Sequence, residues 1–246
     1  MKIGAQFYTL REYTQTPEGL SECLSRVADM GYEYVQISAT CPFEPGWLAG
    51  ELKKNGLGCP LTHYDKARIA SDSAAVASEH EEFGCDYIGV GYYDLGSPEK
   101  VEEFIKTYSH AMDVFSSRGK KLMYHNHDME FTNIDGKTML ELLAQRTSPD
   151  KLGFILDSFW VQSGGGDTVQ WLSKLAGRVD CVHYKDFAYP HQMRAVGDGN
   201  MNFPAIIKAS VDAGVKYAFV EQDNCNGRDP FECLKASYDY LRAQGL

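Results

Sequence analysis

Several features are scarce in this chain, and each scarcity removes a class of function. No two cysteines stand in a CxxC spacing. The seven, Cys23, Cys41, Cys59, Cys85, Cys181, Cys225 and Cys233, are scattered and odd in number. That argues against a thiolate zinc site and leads to the expectation of reduced thiols in a cytoplasmic protein. No apolar run approaches the roughly 20 residues that span a bilayer. The opening residues, Met1 to Gln6, run straight into a strand pattern without a signal-peptide layout. Basic residues are outnumbered, 24 against 34 acidic, for a formal charge of −10. Such a surface repels phosphate backbones and anionic lipid, so neither nucleic acid nor membrane is expected as a partner. There is no Pro/Ser-rich linker. There is also no GxGxxG after the first strand, where Tyr8-Thr9-Leu10-Arg11-Glu12 stands instead. An open doubly wound sheet would be expected to carry that loop.

What is present is an alternation. With 246 residues, 43% of them hydrophobic, the chain has material for one barrel or for two ordinary domains. Short runs rich in Val, Ile, Tyr and Phe read as buried parallel strands near 2–8, 33–38, 58–63, 86–91, 120–126, 153–157, 179–184 and 217–222. Between them, helical periodicity falls near 17–30, 45–55, 73–83, 98–118, 137–146, 167–176, 203–213 and 229–243. Gly31, Gly56, Gly84, Gly119, Gly177 and Gly214 each stand where a helix would close. Ser97-Pro98 and Asp229-Pro230 look like N-caps followed by proline at the first helical position. Eight such units predict an α/β fold, a single (β/α)8 TIM barrel over 1–246.

In a barrel the C-terminal strand ends open onto one shared mouth. Strand five ends in Tyr124-His125-Asn126-His127-Asp128-Met129-Glu130-Phe131 and strand six in Ile155-Leu156-Asp157. Strand seven ends in Val182-His183-Tyr184-Lys185-Asp186 and strand eight in Val220-Glu221-Gln222-Asp223. Four consecutive strands thus bring carboxylates and imidazoles to one rim. Those donors suit Mn, Mg, Zn, Co or Fe without soft sulfur, and without a metal they would repel or stay unsatisfied.

The set YHNHDMEF (124–131), ILDSFW (155–160), VHYKD (182–186), VGDGNMNFPAI (196–206) and VEQD (220–223), with IGAQFYTLRE (3–12), resembles the xylose isomerase-like barrel superfamily. That superfamily includes sugar-phosphate isomerases/epimerases, ketose 3-epimerases, inosose dehydratases and endonuclease IV. The resemblance implies one divalent metal, Mn, Mg, Zn or Co, held by a Glu/Asp/His/Glu set. Asp157, His183 and Glu221 carry over directly. Many relatives have the first glutamate where this chain has His125, so Glu130, five residues on, is the expected fourth ligand and His125 the substitute.

The expected reaction is isomerisation or epimerisation of a sugar-like ketone. Glu221 would move the proton, and Glu130, His125 or His127 would act from the opposite face. A lyase of the inosose dehydratase kind is the rival, because histidines near strand five offer an acid for a departing hydroxyl. An endonuclease needs more ligands and a basic face than seven histidines and a charge of −10 provide. Substrate contacts are expected from His63, His125, Lys185, Arg194 and Trp160. Arg194 lies in a long loop, 187–202, that could fold over a bound molecule. His80 and His110 sit mid-helix and read as structural or solvent-facing. No phosphate loop is visible, which favours an unphosphorylated small sugar as partner. Assembly into a homo-oligomer is left open.

Overall fold

The computed structural model describes residues 1–246. Eight parallel strands, numbered with the others in chain order, close into a barrel. They are β1 (Lys2–Gln6), β2 (Tyr34–Ile37), β3 (Gly58–His63), β4 (Tyr87–Val90), β5 (Lys121–His125), β8 (Leu152–Asp157), β9 (Cys181–Tyr184) and β12 (Tyr217–Val220). Each pairs with its neighbour in order, and β1 pairs with β12 to close the ring. The fold class read from the sequence is the observed one.

The helices form where caps and apolar faces agree. In α1 (Pro17–Asp29), Thr16 accepts the Gly19 N–H and Pro17 opens the first turn. In α5 (Pro98–Ser117), Ser97 accepts from Lys100. A capping box, Thr138 with Glu141, starts α6 (Met139–Arg146). The ring is completed by α2 (Pro45–Asn55), α4 (Ser73–Glu82), α8 (Thr168–Lys174), α9 (Phe203–Asp212) and α10 (Pro230–Ala243). Beyond the alternation lie 3-10 turns at Phe7–Leu10 and Met129–Phe131 and four further short units. Two are short helices, α3 (Lys66–Ser71) and α7 (Ser158–Ser163). Two are hairpins, β6 (Asn133–Ile134) with β7 (Lys137–Thr138) and β10 (Asp186–Ala188) with β11 (Gln192–Arg194). They are shorter than two turns of helix or a normal strand, too short to show a period in sequence.

The core has two parts. A cluster of 57 buried residues packs the helices onto the outside of the barrel. A separate cluster of six, Leu61, Tyr87, Met123, Ile155, Cys181 and Phe219, fills the inside. Side chains alternate along a strand. Met123, Ile155, Cys181 and Phe219 therefore point inward two positions before His125, Asp157, His183 and Glu221. The polar rim stands directly on this apolar plug. Gly4 is part of the fit, since a Cβ there would lie 2.5 Å from the Phe219 ring.

Candidate metal centre and cleft

His125, Asp157, His183 and Glu221 converge at the top of the plug. One donor atom from each lies within 4.8 Å of every other. His125 Nε2 is 3.3 Å from Asp157 Oδ2. His183 Nδ1 is 3.8 Å from Asp157 Oδ2 and 2.9 Å from Glu221 Oε2. Atoms held about 2.1 Å from one tetrahedral ion would stand about 3.4 Å apart, and these separations bracket that value.

The surroundings fix which lone pairs face inward. His125 Nδ1 lies 3.2 Å from the Gly91 carbonyl, which can only accept, so Nδ1 carries the proton and Nε2 faces the cluster as an acceptor. His183 Nε2 lies 2.7 Å from Gln36 Oε1, leaving Nδ1 as its inward acceptor. Gln6 Nε2 donates to Glu221 Oε1 at 2.7 Å, so Oε2 is the free oxygen. Asp157 caps α7 through Oδ1, which accepts the Trp160 N–H, while its own N–H donates to Asn126 Oδ1. Its Oδ2 is thereby turned inward. Four acceptors now face one another, and His183 Nδ1 and Glu221 Oε2 have no hydrogen-bond partner. Buried acceptors in that arrangement call for a cation between them. The donor set, two imidazoles and two carboxylates, fits a divalent metal, and the outer hydrogen bonds are of the kind that orient such ligands.

Lys185 is buried beside the same group. Its Nζ stands 3.0 Å from Asp157 Oδ2, 2.9 Å from Glu221 Oε2 and 2.8 Å from Asp223 Oδ1. Burial works to raise both carboxyls, but the Lys185 charge outweighs it and holds Asp157 and Glu221 well below the usual range. Asp223 goes the other way. Burial and the nearby Glu221 push it up to about 6.

Glu130 is elsewhere. It lies in a one-turn 3-10 helix, Met129–Phe131, with no exposed surface. One of its oxygens accepts the Tyr124 hydroxyl and the other accepts the His127 N–H at 2.8 Å. It is not in the convergent group, and its place there is taken by His125. The reason is local. The strand-five turn closes on the Glu130 carboxylate, which leaves the side chain behind the rim.

A cleft of about 440 Å³ opens above the cluster. His63, His125, His127, Trp160, Lys185 and Glu221 all line it. His63 Nδ1 meets Ser38 Oγ at 3.3 Å, while His63 Nε2, His127 Nδ1 and Trp160 Nε1 are buried and unpaired. Burial first, and then His125 and His183, hold His63 far below the ordinary histidine value. Burial and His125 bring His127 down to about 3. Both rings are therefore neutral near pH 7. Arg194 does not line the cleft. It lies on β11, where it bonds Gln192 Oε1 at 2.6 Å. His80 is structural, bonded to Thr62 and to the Val76 carbonyl.

Sequence reasoning missed Gln6, Gln36 and Asn126, which orient the cluster, and Asp223, which shares Lys185. The signal for the first two was a glutamine inside an otherwise apolar strand run, AQF and VQI.

The chain also has relatives among known proteins. The chain is 24% identical over 199 residues, 71% of its length, to an inosose dehydratase of Geobacillus kaustophilus. It spans only 62% and 50% of the lengths of the two curated relatives it matches. Among solved structures it resembles a sugar phosphate isomerase/epimerase from Parabacteroides distasonis. The TM-score is 0.84 at 23% identity, with 98% of this chain and 93% of that one covered. An L-ribulose 3-epimerase gives a TM-score of 0.77 at 14% identity, covering 99% of this chain and 94% of that one. These structural likenesses speak for the fold. The family model for the xylose isomerase-like TIM barrel matches residues 24–244, nearly all of the barrel and every strand end in the cluster, and the chain belongs to that family.

Proposed function

We propose that residues 1–246 form one catalytic barrel, a divalent-metal-dependent isomerase or epimerase of a small polyhydroxylated ketone. The observation that carries this reading is the set of inward-facing acceptors on His125, Asp157, His183 and Glu221 at the floor of a polar, aromatic-walled cleft. Those four residues would hold the ion. When bound, it supplies Lewis acidity that makes a C–H beside a carbonyl easier to ionise.

The chain's own groups supply the rest. Glu221 is fixed by Gln6 through one oxygen and presents the other to the cleft, where it can take a proton from a substrate carbon or return it. His127 lines the same cleft with an unpaired Nδ1 on a neutral ring, free to hold a substrate hydroxyl. His63 offers an unpaired Nε2 for a second hydroxyl. Trp160 makes an apolar wall, its ring 5.3 Å from that of His127.

A second reading is a lyase that expels a hydroxyl from the carbon next to the ionised one. The unpaired histidine nitrogens that share the cleft with Glu221, and the inosose dehydratases among the relatives, favour it. Proton NMR in D2O with Mn-, Co- or Zn-loaded protein and a panel of ketoses and inososes separates the two. Deuterium entering carbon without loss of water is the expected result. Loss of water would mean the lyase. No exchange and no elimination with any metal would overturn both.

A further inference from the structure

We propose that Lys185 is a resident counter-ion that competes with the divalent cation for Asp157 and Glu221. This rests on the metal-centre reading above and extends it from which groups hold the ion to how tightly they hold it.

The oxygens that Lys185 touches are the ones turned toward the histidine lone pairs. Asp157 Oδ2 is 3.0 Å from Nζ and 3.3 Å from His125 Nε2. Glu221 Oε2 is 2.9 Å from Nζ and 2.9 Å from His183 Nδ1. An ammonium has three N–H donors and no acceptor. One of them donates to Asp223 Oδ1 at 2.8 Å, and the ammonium stands within ion-pair distance of the other two carboxylates. The residue cannot retreat as a whole. Its N–H donates to Ser158 Oγ at 3.0 Å, and its carbonyl accepts the same hydroxyl at 2.8 Å. Its side chain is buried beside the Trp160 ring, with Nζ 5.5 Å from the ring centroid. Two cations would therefore share two oxygens at close quarters, repelling each other where water screens little.

The local charges fit this role. Asp157, Glu221 and Asp223 bring three negative charges and Lys185 one positive. The ammonium thus lowers the negative charge available to an incoming ion. It also prevents the two inward carboxylates from facing each other bare when no ion is bound. Asp223 is the one carboxylate of the three outside the donor set, so it can retain the ammonium when the other two oxygens turn to the metal. The centre is built to take up and release its ion and not to trap it.

The test uses the full chain, stripped with chelator and titrated with Mn2+ or Co2+ by calorimetry. Melting temperatures are recorded with and without metal. Lys185→Gln keeps a hydrogen-bond donor without the charge, and Lys185→Met replaces it if the glutamine variant does not fold. We expect the neutral variant to bind at least about tenfold tighter than the unsubstituted chain. Its melting temperature should also rise more on metal addition. Lys185→Arg, which keeps the charge, should bind no tighter than the unsubstituted chain. Unchanged or weaker binding in the neutral variant overturns the inference, as does an arginine variant that gains as much as the neutral one. If the unsubstituted chain binds metal normally, those failures touch Lys185 alone. If neither it nor any variant binds metal, the metal-centre reading fails as well.

Discussion

At the end of β5 two residues compete for one role, and their hydrogen bonds separate them. His125 has its proton tied to Gly91 and its lone pair directed at Asp157. Glu130 has both oxygens occupied by Tyr124 and His127. His125→Gln should therefore weaken metal binding at least about tenfold, while Glu130→Gln should leave it within about threefold. Metal titration of the two variants checks this, and the reverse result would restore Glu130 as the ligand. Glu130 has a different signature, in stability against pH. Burial pushes its carboxyl from the ordinary 4.5 up to about 7, against the lowering effect of Tyr124 and the backbone N–H groups. A folded value above the unfolded one means that the folded state holds the proton more strongly. This contribution is complete below about pH 4.5 and is lost as pH rises through about 7. Chemical denaturation of the unsubstituted chain, relative to Glu130→Gln, should show a loss of about 1–3 kcal/mol between pH 5 and 8. A difference independent of pH would show that Glu130 does not titrate there.

Among elements, the loop after β9 is gathered around one side chain. The Asp186 carboxylate accepts N–H groups from Phe187, Gly197, Gly199 and Met201 at 2.8 to 3.3 Å. Gly199 comes so near that a Cβ would lie 2.3 Å from the carboxylate. Asp186→Asn swaps one acceptor for a donor aimed at N–H groups. It should cost about 1–3 kcal/mol and speed hydrogen exchange over 187–202, with metal affinity little changed. Normal protection of that segment would show that the loop is held by other contacts. The sequence marked this loop as long and glycine-bearing but did not show the β10–β11 hairpin within it, because strands of three residues have no readable alternation. The same shortness hid α3 and α7. The latter begins on Asp157 itself, so that one residue ends a strand, caps a helix and faces the cluster.

Over the whole molecule, the eight strands were legible because a parallel barrel strand is buried on both sides and reads as a plain apolar run. Asp157, His183 and Glu221 were legible because each follows such a run directly. Gln6 and Gln36 were not, since a lone amide in an apolar run gives no hint that its partner lies 215 or 147 residues away. Lys185 looked like a group waiting for substrate because sequence does not reveal that three carboxylates already hold it. The plug of Leu61, Tyr87, Met123, Ile155, Cys181 and Phe219 has a consequence for traffic. The barrel is a cul-de-sac with a single doorway. Any small molecule held above the plug must leave by the way it came in, and two cannot pass each other.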